Sequence, residues 1–198
     1  MKGLLGVLLF MLVTACVQTE VVKMNLKGKK ALMVIAPSNF RDEEFSEPHK
    51  LLTSKGVEVT VASVGTAPAK GVLGKVVTPD TDVSSVNGDE YDAVIFVGGP
   101  GVEELSLFNN GHFLRIAREA DEAGKIVAAI CAGPKILASA GLLQGRKATV
   151  YSGDVAYIKS KGADYVGQDV VQDGNIITAS GPQAASKFGN KIVQELAR

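Results

Sequence analysis

Three short runs, "ALMVIA", "AVIFVGG" and "IVAAIC", are apolar at consecutive positions rather than at alternate ones. A strand built this way hides both of its faces, so helices must cover the sheet on each side. From Lys29 onward such runs alternate with amphipathic segments, which is the signature of repeated βα units and a mostly parallel sheet. The expected fold class is α/β, a three-layer α/β/α sandwich.

The pattern also places the elements. "KALMVIAP" reads as a first buried strand ending at Pro37. "DEEFSEPHKLLTSKG" reads as a helix with acids at its positive end and a stop at Gly56, and Pro48 is expected to kink it or to start a second helix. "VEVTVAS" is the second strand, "GVLGKVVTPD" a hairpin, and "YDAVIFVGGPG" a core strand emptying into a glycine turn. "GHFLRIAREADEAGK" is an amphipathic helix with Phe113, Ile116, Ala117 and Ala120 on one face. A strand over 126–130 runs into a helix over 133–140, and another helix lies near 154–161. "DVVQDGNIITAS" is a hairpin around Asp173 and Gly174, and "PQAASKFGNKIVQELAR" is the last helix.

The 198 residues suit one domain plus a short extension, and 46% hydrophobic residues are enough for a substantial core. Lys and Arg together number 21, as do Asp and Glu, and "KGKK" is the only short basic run, so no phosphate-tracking surface is expected. With Trp absent and 6% aromatic residues, a base-stacking platform is not expected either. These features exclude nucleic acid as the expected partner and leave a small molecule or a protein.

Residues 1–15 have the layout of a secretory signal: Lys2, an apolar run to Val13, then small residues. "VTAC" resembles the bacterial lipobox, in which the Cys, here Cys16, is lipidated and becomes the new N-terminus. An ordinary signal peptide or an uncleaved anchor is the alternative. The expectation is an exported, membrane-anchored lipoprotein on the periplasmic or cell-surface side, with residues 16–27 as tether and 28–198 as the domain. Lipidation of Cys16 would leave Cys131 as the one free thiol and no intrachain disulfide.

Cys131 ends a buried strand and precedes a Gly-Pro pair that opens a helix. Ala129 and Gly133 keep the positions two before and two after it small, the spacing of a nucleophile elbow, whose sharp strand-to-helix turn leaves no room for bulk. A thiol at a helix N-terminus faces free N–H groups that favour its charge, so a thiolate near neutral pH is expected. The plainer alternative is that Cys131 is one more small buried hydrophobe.

The segment "AAICAGPKILASAGLLQGRKAT" closely resembles the elbow of the ThiJ/PfpI superfamily, which includes a parkinsonism-associated deglycase and PfpI-type peptidases. "FRDEEFSEPHKLLTSKG", "YDAVIFVGGPG" and "VVQDGNIITASGP" extend the resemblance over about residues 30–196. It implies a flavodoxin-like, class I glutamine amidotransferase-like fold and a homodimer. It also implies that Glu44 meets Cys131, that the N–H groups of Gly99 and Ala132 form an oxyanion hole, and that Gly98 borders the substrate pocket. A carboxylate beside a thiolate is repulsive, so Glu44 is expected to be protonated and to donate to the sulfur. Without the resemblance, Glu44 reads as a solvated acid in a helix's first turn.

The chain departs from the family at two places. Peptidase-type members carry a His directly after the cysteine, where this chain has Ala132, and the later loop position of deglycase-type members' His corresponds to Tyr151 in "TVYSG". The two histidines are His49, about one turn beyond Glu44, and His112, expected to be exposed before a surface helix. Without a Cys-His pair, peptide hydrolysis lacks its general base. The expected activity is therefore glyoxalase-like or deglycase-like. Its substrates would be small reactive carbonyls or glycated proteins, with Tyr151 as an orienting group or a packed rim residue. A redox sensor and a chaperone-like stress protein are the alternatives. No metal-ligand spacing and no phosphate loop is present in the sequence, so neither a metal nor a cofactor is expected.

Overall fold

The structure, a computed structural model, describes residues 25–198. Its main sheet has seven strands: β1 (Lys30–Val34), β2 (Glu58–Ser63), β3 (Thr81–Asp82), β4 (Ala93–Phe96), β5 (Ile126–Ile130), β6 (Val170–Asp173) and β7 (Ile176–Ala179). Their spatial order is β6-β7-β5-β4-β1-β2-β3, and every pair is parallel except the β6–β7 hairpin. β4, β5 and β7 are buried at every position and β1 at all but Lys30, as the unbroken apolar runs require.

The helices are α1 (Asp42–Ser54), α2 (Pro100–Glu104), α3 (Gly111–Glu122), α4 (Pro134–Ser139), α5 (Val155–Ser160) and α6 (Ala185–Leu196). α1 packs on α6 and α3 on α4, giving the helical layers that flank the sheet. Gly189 permits the first of these contacts, because a Cβ there would stand 3.0 Å from Pro48 Cα. α3 buries Phe113, Ile116, Ala117 and Ala120, the face its spacing indicates.

Several details differ from the sequence pattern for local reasons. Pro48 lies inside one continuous helix and starts no second one. Its ring instead sits at the buried contact with α6. The β6–β7 turn is one residue later than expected: Asp173 pairs with Ile176, leaving Gly174, at φ 60°, and Asn175 as the turn. The expected hairpin near residue 71 pairs Ala69–Gly71 with Val76–Val77 and gains a strand the sequence did not signal, Ser38–Phe40. The Asp42 carboxylate clamps that hairpin to the start of α1 by accepting the N–H groups of Leu73 at 2.8 Å and Lys75 at 2.7 Å. At the other end of the domain, Leu26 is buried and its N–H donates to Lys55 O at 2.8 Å, so packing begins within the segment expected as tether. The expected signal and lipidation site, residues 1–16, fall outside the described residues. Among the described residues, no helix is long and apolar enough to cross a membrane.

Candidate active site

β5 runs straight into Cys131, whose backbone adopts φ 61°, a left-handed conformation that costs a non-glycine residue about 1–2 kcal/mol. The neighbours enforce the turn. Cys131 N–H donates to Ala179 O at 2.9 Å, and Tyr151 N–H donates to Cys131 O at 3.0 Å. A Cβ on Gly133 would lie 2.7 Å from Phe96 O, which is why the position two after the cysteine tolerates nothing larger. The elbow spacing thus reflects a steric limit in the folded chain.

β4 delivers the facing wall. After Phe96 the chain turns through Gly98 and Gly99, and α2 starts at Pro100. A Cβ on Gly98 would be 2.7 Å from both Cys131 Cβ and Glu44 Oε2, so these two groups bracket the space that Gly98 leaves open. Gly99, at φ 112°, would place a Cβ 2.5 Å from Arg41 N. The first turn of α1 brings Glu44 in from behind with no solvent exposure at all. Its Oε2 accepts Gly98 N–H at 3.1 Å, while Oε1 is buried without a hydrogen-bond partner.

A buried acid and a partly buried one side by side resist ionisation together. Burial pushes Glu44 up to about 7, against partial relief from the Cys131 thiol and the Gly98 N–H. Burial, followed by the Glu44 charge, pushes the Cys131 thiol up to about 12, and the N–H groups of Gly99 and Ala132 work in the opposite direction. The thiolate expected from the helix N-terminus alone is therefore opposed by burial and by its acidic neighbour. Arg41 supplies a counter-charge that acts against the rise at Glu44. Its own pKa is raised, first by its hydrogen bond to Glu43 and also by the fields of Glu44 and Cys131.

Cys131 opens into a cavity of about 500 Å³ whose lining includes Glu44, Gly99, Ala132 and Tyr151. The sequence-identified residues Glu44, Gly98, Gly99, Cys131, Ala132 and Tyr151 are thus brought together. Tyr151 forms a rim, about half exposed. His49 stacks on Phe45 at 5.1 Å and His112 is exposed beside the start of α3, and neither lines the cavity. Among the described residues, no cluster of three or more His, Cys, Asp and Glu could hold a metal ion.

Sequence reasoning missed four charged contributors to this site. Arg41, Glu103 and Asp154 line the cavity. Behind them Lys135 lies buried, hydrogen-bonded to Glu103, 3.4 Å from Asp154, and 4.1 Å from the ring centroid of Phe108. The available signal was a single Lys within the apolar stretch "GPKILASAG".

Comparisons with known proteins bear on the family and the fold. The model of the DJ-1/PfpI family matches residues 29–195. The Methanocaldococcus jannaschii protein MJ0967 is 42% identical over 174 residues, 87% of this chain and 84% of that one. Deglycase PfpI of Pyrococcus furiosus is 36% identical over 151 residues, 76% of this chain and 90% of its own. The crystal structure of a ThiJ/PfpI domain protein from Brachyspira murdochii superposes with a TM-score of 0.82 at 35% identity, covering 86% of this chain and 97% of that one.

Proposed function

This chain belongs to the DJ-1/PfpI family, and from that premise we propose that it is a stress-protective, deglycase-like or glyoxalase-like enzyme that uses Cys131 as nucleophile and Glu44 as acid and base. The observation that carries the reading is the fully buried Glu44 carboxyl, with one oxygen unpartnered, beside a thiol on a strained elbow that opens into a cavity. The pair loses its first proton near pH 7, and the resulting charge belongs on sulfur. Sulfur is partly exposed and meets two N–H groups, whereas the carboxylate would be dry, with the Gly98 N–H on Oε2 and beyond it only the weak thiol donor. Glu44 then keeps the second proton.

The thiolate adds to an aldehyde carbon, forming a C–S bond while the carbonyl electron pair moves to oxygen, which the Gly99 and Ala132 N–H groups can stabilise. Glu44 protonates that oxygen to give a hemithioacetal. As a carboxylate it then takes the proton from the sulfur-bearing carbon and returns it to the adjacent one, while the hydroxyl proton passes to the neighbouring oxygen, leaving a thioester. Water cleaves the thioester to a hydroxy acid and restores the thiol. For methylglyoxal the sum is addition of one water to give lactate, with no external oxidant. The test is lactate formation from methylglyoxal without added thiol. A wild-type protein that forms none, or forms as much as Cys131→Ala, defeats the reading.

One observation favours a second reading: the same N–H groups and Glu44 would also stabilise an oxidised sulfur. Mild peroxide adding two oxygens at Cys131, in a protein that turns over no carbonyl, would support a redox sensor. Peptide hydrolysis is disfavoured, because no His lines the cavity. The lipid anchor at Cys16, export to the periplasmic or cell-surface side and a homodimer are further parts of this proposal, supported by the sequence pattern and family resemblance.

A further inference from the structure

We infer that Lys135 is a positioning residue that fixes the wall of this cavity and limits its negative charge, so that it governs which carbonyls enter by their charge. The inference deepens the carbonyl-enzyme reading above and rests on it for the identity of the substrates.

A lysine on an α/β domain normally sends its ammonium to water, since burying an unpaired charge is costly. The Lys135 side chain is only 5% exposed. The fold surrounds its Nζ with two carboxylates and two rings. Nζ hydrogen-bonds Glu103, lies 3.4 Å from Asp154, and stands 4.1 Å and 4.9 Å from the ring centroids of Phe108 and Tyr157. The rings favour a cation electrostatically, and the carboxylates compensate its charge.

The partners come from separate parts of the wall. Glu103 is on α2, the helix that starts immediately after Gly99, and Asp154 lies three residues beyond Tyr151. Both carboxylate residues line the cavity and Lys135 does not. The ammonium therefore sits behind the wall. It ties the Gly99 helix and the Tyr151 loop to the helix that follows Cys131, and it cancels one of the two negative charges they present. Glu103 is 63% exposed, so without Lys135 its carboxylate would have no anchor here.

Charge can be read without any carbonyl chemistry. Cys131 is alkylated in parallel with neutral iodoacetamide and anionic iodoacetate, in a Cys16→Ser background, and the iodoacetate/iodoacetamide rate ratio is taken. Lys135→Met, which keeps the length and removes the charge, is expected to lower this ratio about tenfold, the effect of one charge near a partly screened site. Glu103→Gln removes a charge of the opposite sign from a largely exposed side chain, so it folds even where Lys135→Met does not, and it is expected to raise the ratio. A purely structural lysine would change both alkylation rates together and leave the ratio alone. With methylglyoxal, which is uncharged, Lys135→Met should lose kcat rather than KM, because the Gly99 N–H is displaced. An unchanged ratio in Glu103→Gln, or a shift in the same direction in both variants, overturns the inference. Absence of methylglyoxal turnover in the wild type defeats the enzyme reading but leaves the ratio test intact.

Discussion

Replacing Glu44 by Gln keeps the shape of the buried side chain but removes its ability to gain or lose a proton. If the first charge of the pair lies on sulfur, wild-type Glu44 is a neutral acid whose O–H donates to a thiolate, and Gln offers only an amide N–H. Both are hydrogen bonds to a charged group, worth about 1.5–3 kcal/mol, but the acidic carboxyl O–H lies toward the upper end of that range and the amide N–H toward the lower, so the exchange costs the thiolate about 1 kcal/mol. At 1.36 kcal/mol per unit this raises the Cys131 pKa by about 0.7 unit, or about fivefold less thiolate below the midpoint. The assay is the rate of Cys131 alkylation by iodoacetamide between about pH 5 and pH 10, read by intact mass with Cys16 replaced by Ser. The wild-type rate should rise with a midpoint near 7, where the pair first ionises. Glu44→Gln should be slower below that midpoint and converge with wild type well above it. The contrary outcome is a Glu44→Gln variant that reacts faster than wild type at neutral pH. In that case the wild-type charge resides on the carboxylate and repels the thiolate, and removing it would lower the thiol pKa by about 1–3 units.

Two further outcomes follow from the same geometry. In the folded chain the coupled pair releases its first proton at about 7, whereas a free Glu44 releases it at 4.5, so the native state holds this proton more tightly than the unfolded chain. The associated stability is fully present below pH 4.5 and is lost as pH rises through 7, a fall of about 3 kcal/mol. A second loss is expected above pH 9, where the unfolded thiol ionises while the folded pair holds its second proton up to about 12. Urea unfolding across this range should show the first decline in wild type but not in Glu44→Gln. Cys131→Gly should be more stable than Cys131→Ala by about 1 kcal/mol, because φ 61° suits glycine. Equal stabilities would mean that the elbow stores no backbone strain.

The parts of this site that are legible in the sequence are those where close packing at a strand end admits only glycine. Cys131 needs Gly133 because a side chain there would meet the Phe96 carbonyl, and the glycines at 98 and 99 are empty because Glu44, Cys131 and Arg41 occupy the space around them. Such constraints act within a few residues of a strand end and leave a spacing that can be read. The Lys135 cluster leaves none. Its partners come from two segments, Glu103 and Phe108 from one and Asp154 and Tyr157 from the other, which meet Lys135 only after the sheet has formed. Their pairing is set by tertiary position, and each alone has the composition of a surface. The strand at Ser38–Phe40 was hidden for a similar reason: three residues with Asn39 at φ 55° show no alternation, and only the hairpin at Ala69 gives them a partner.

Burial of Glu44 joins the stability of this fold to its chemistry. A carboxyl with no exposure and one unpartnered oxygen is tolerated while it is neutral, which the acid side of pH 7 ensures. The proposed chemistry begins when the pair gives up its first proton, in the same range where the fold loses about 3 kcal/mol. A better-satisfied site, with a donor on Oε1, would hold the carboxylate as an ion, flatten the pH dependence of stability and leave a like charge beside the thiol. It would then lack a proton to give to the substrate oxygen. The orphan oxygen is thus a destabilising feature that the acid–base role requires. A substitution that supplies Oε1 with a donor should stabilise the protein above pH 7 and reduce turnover together.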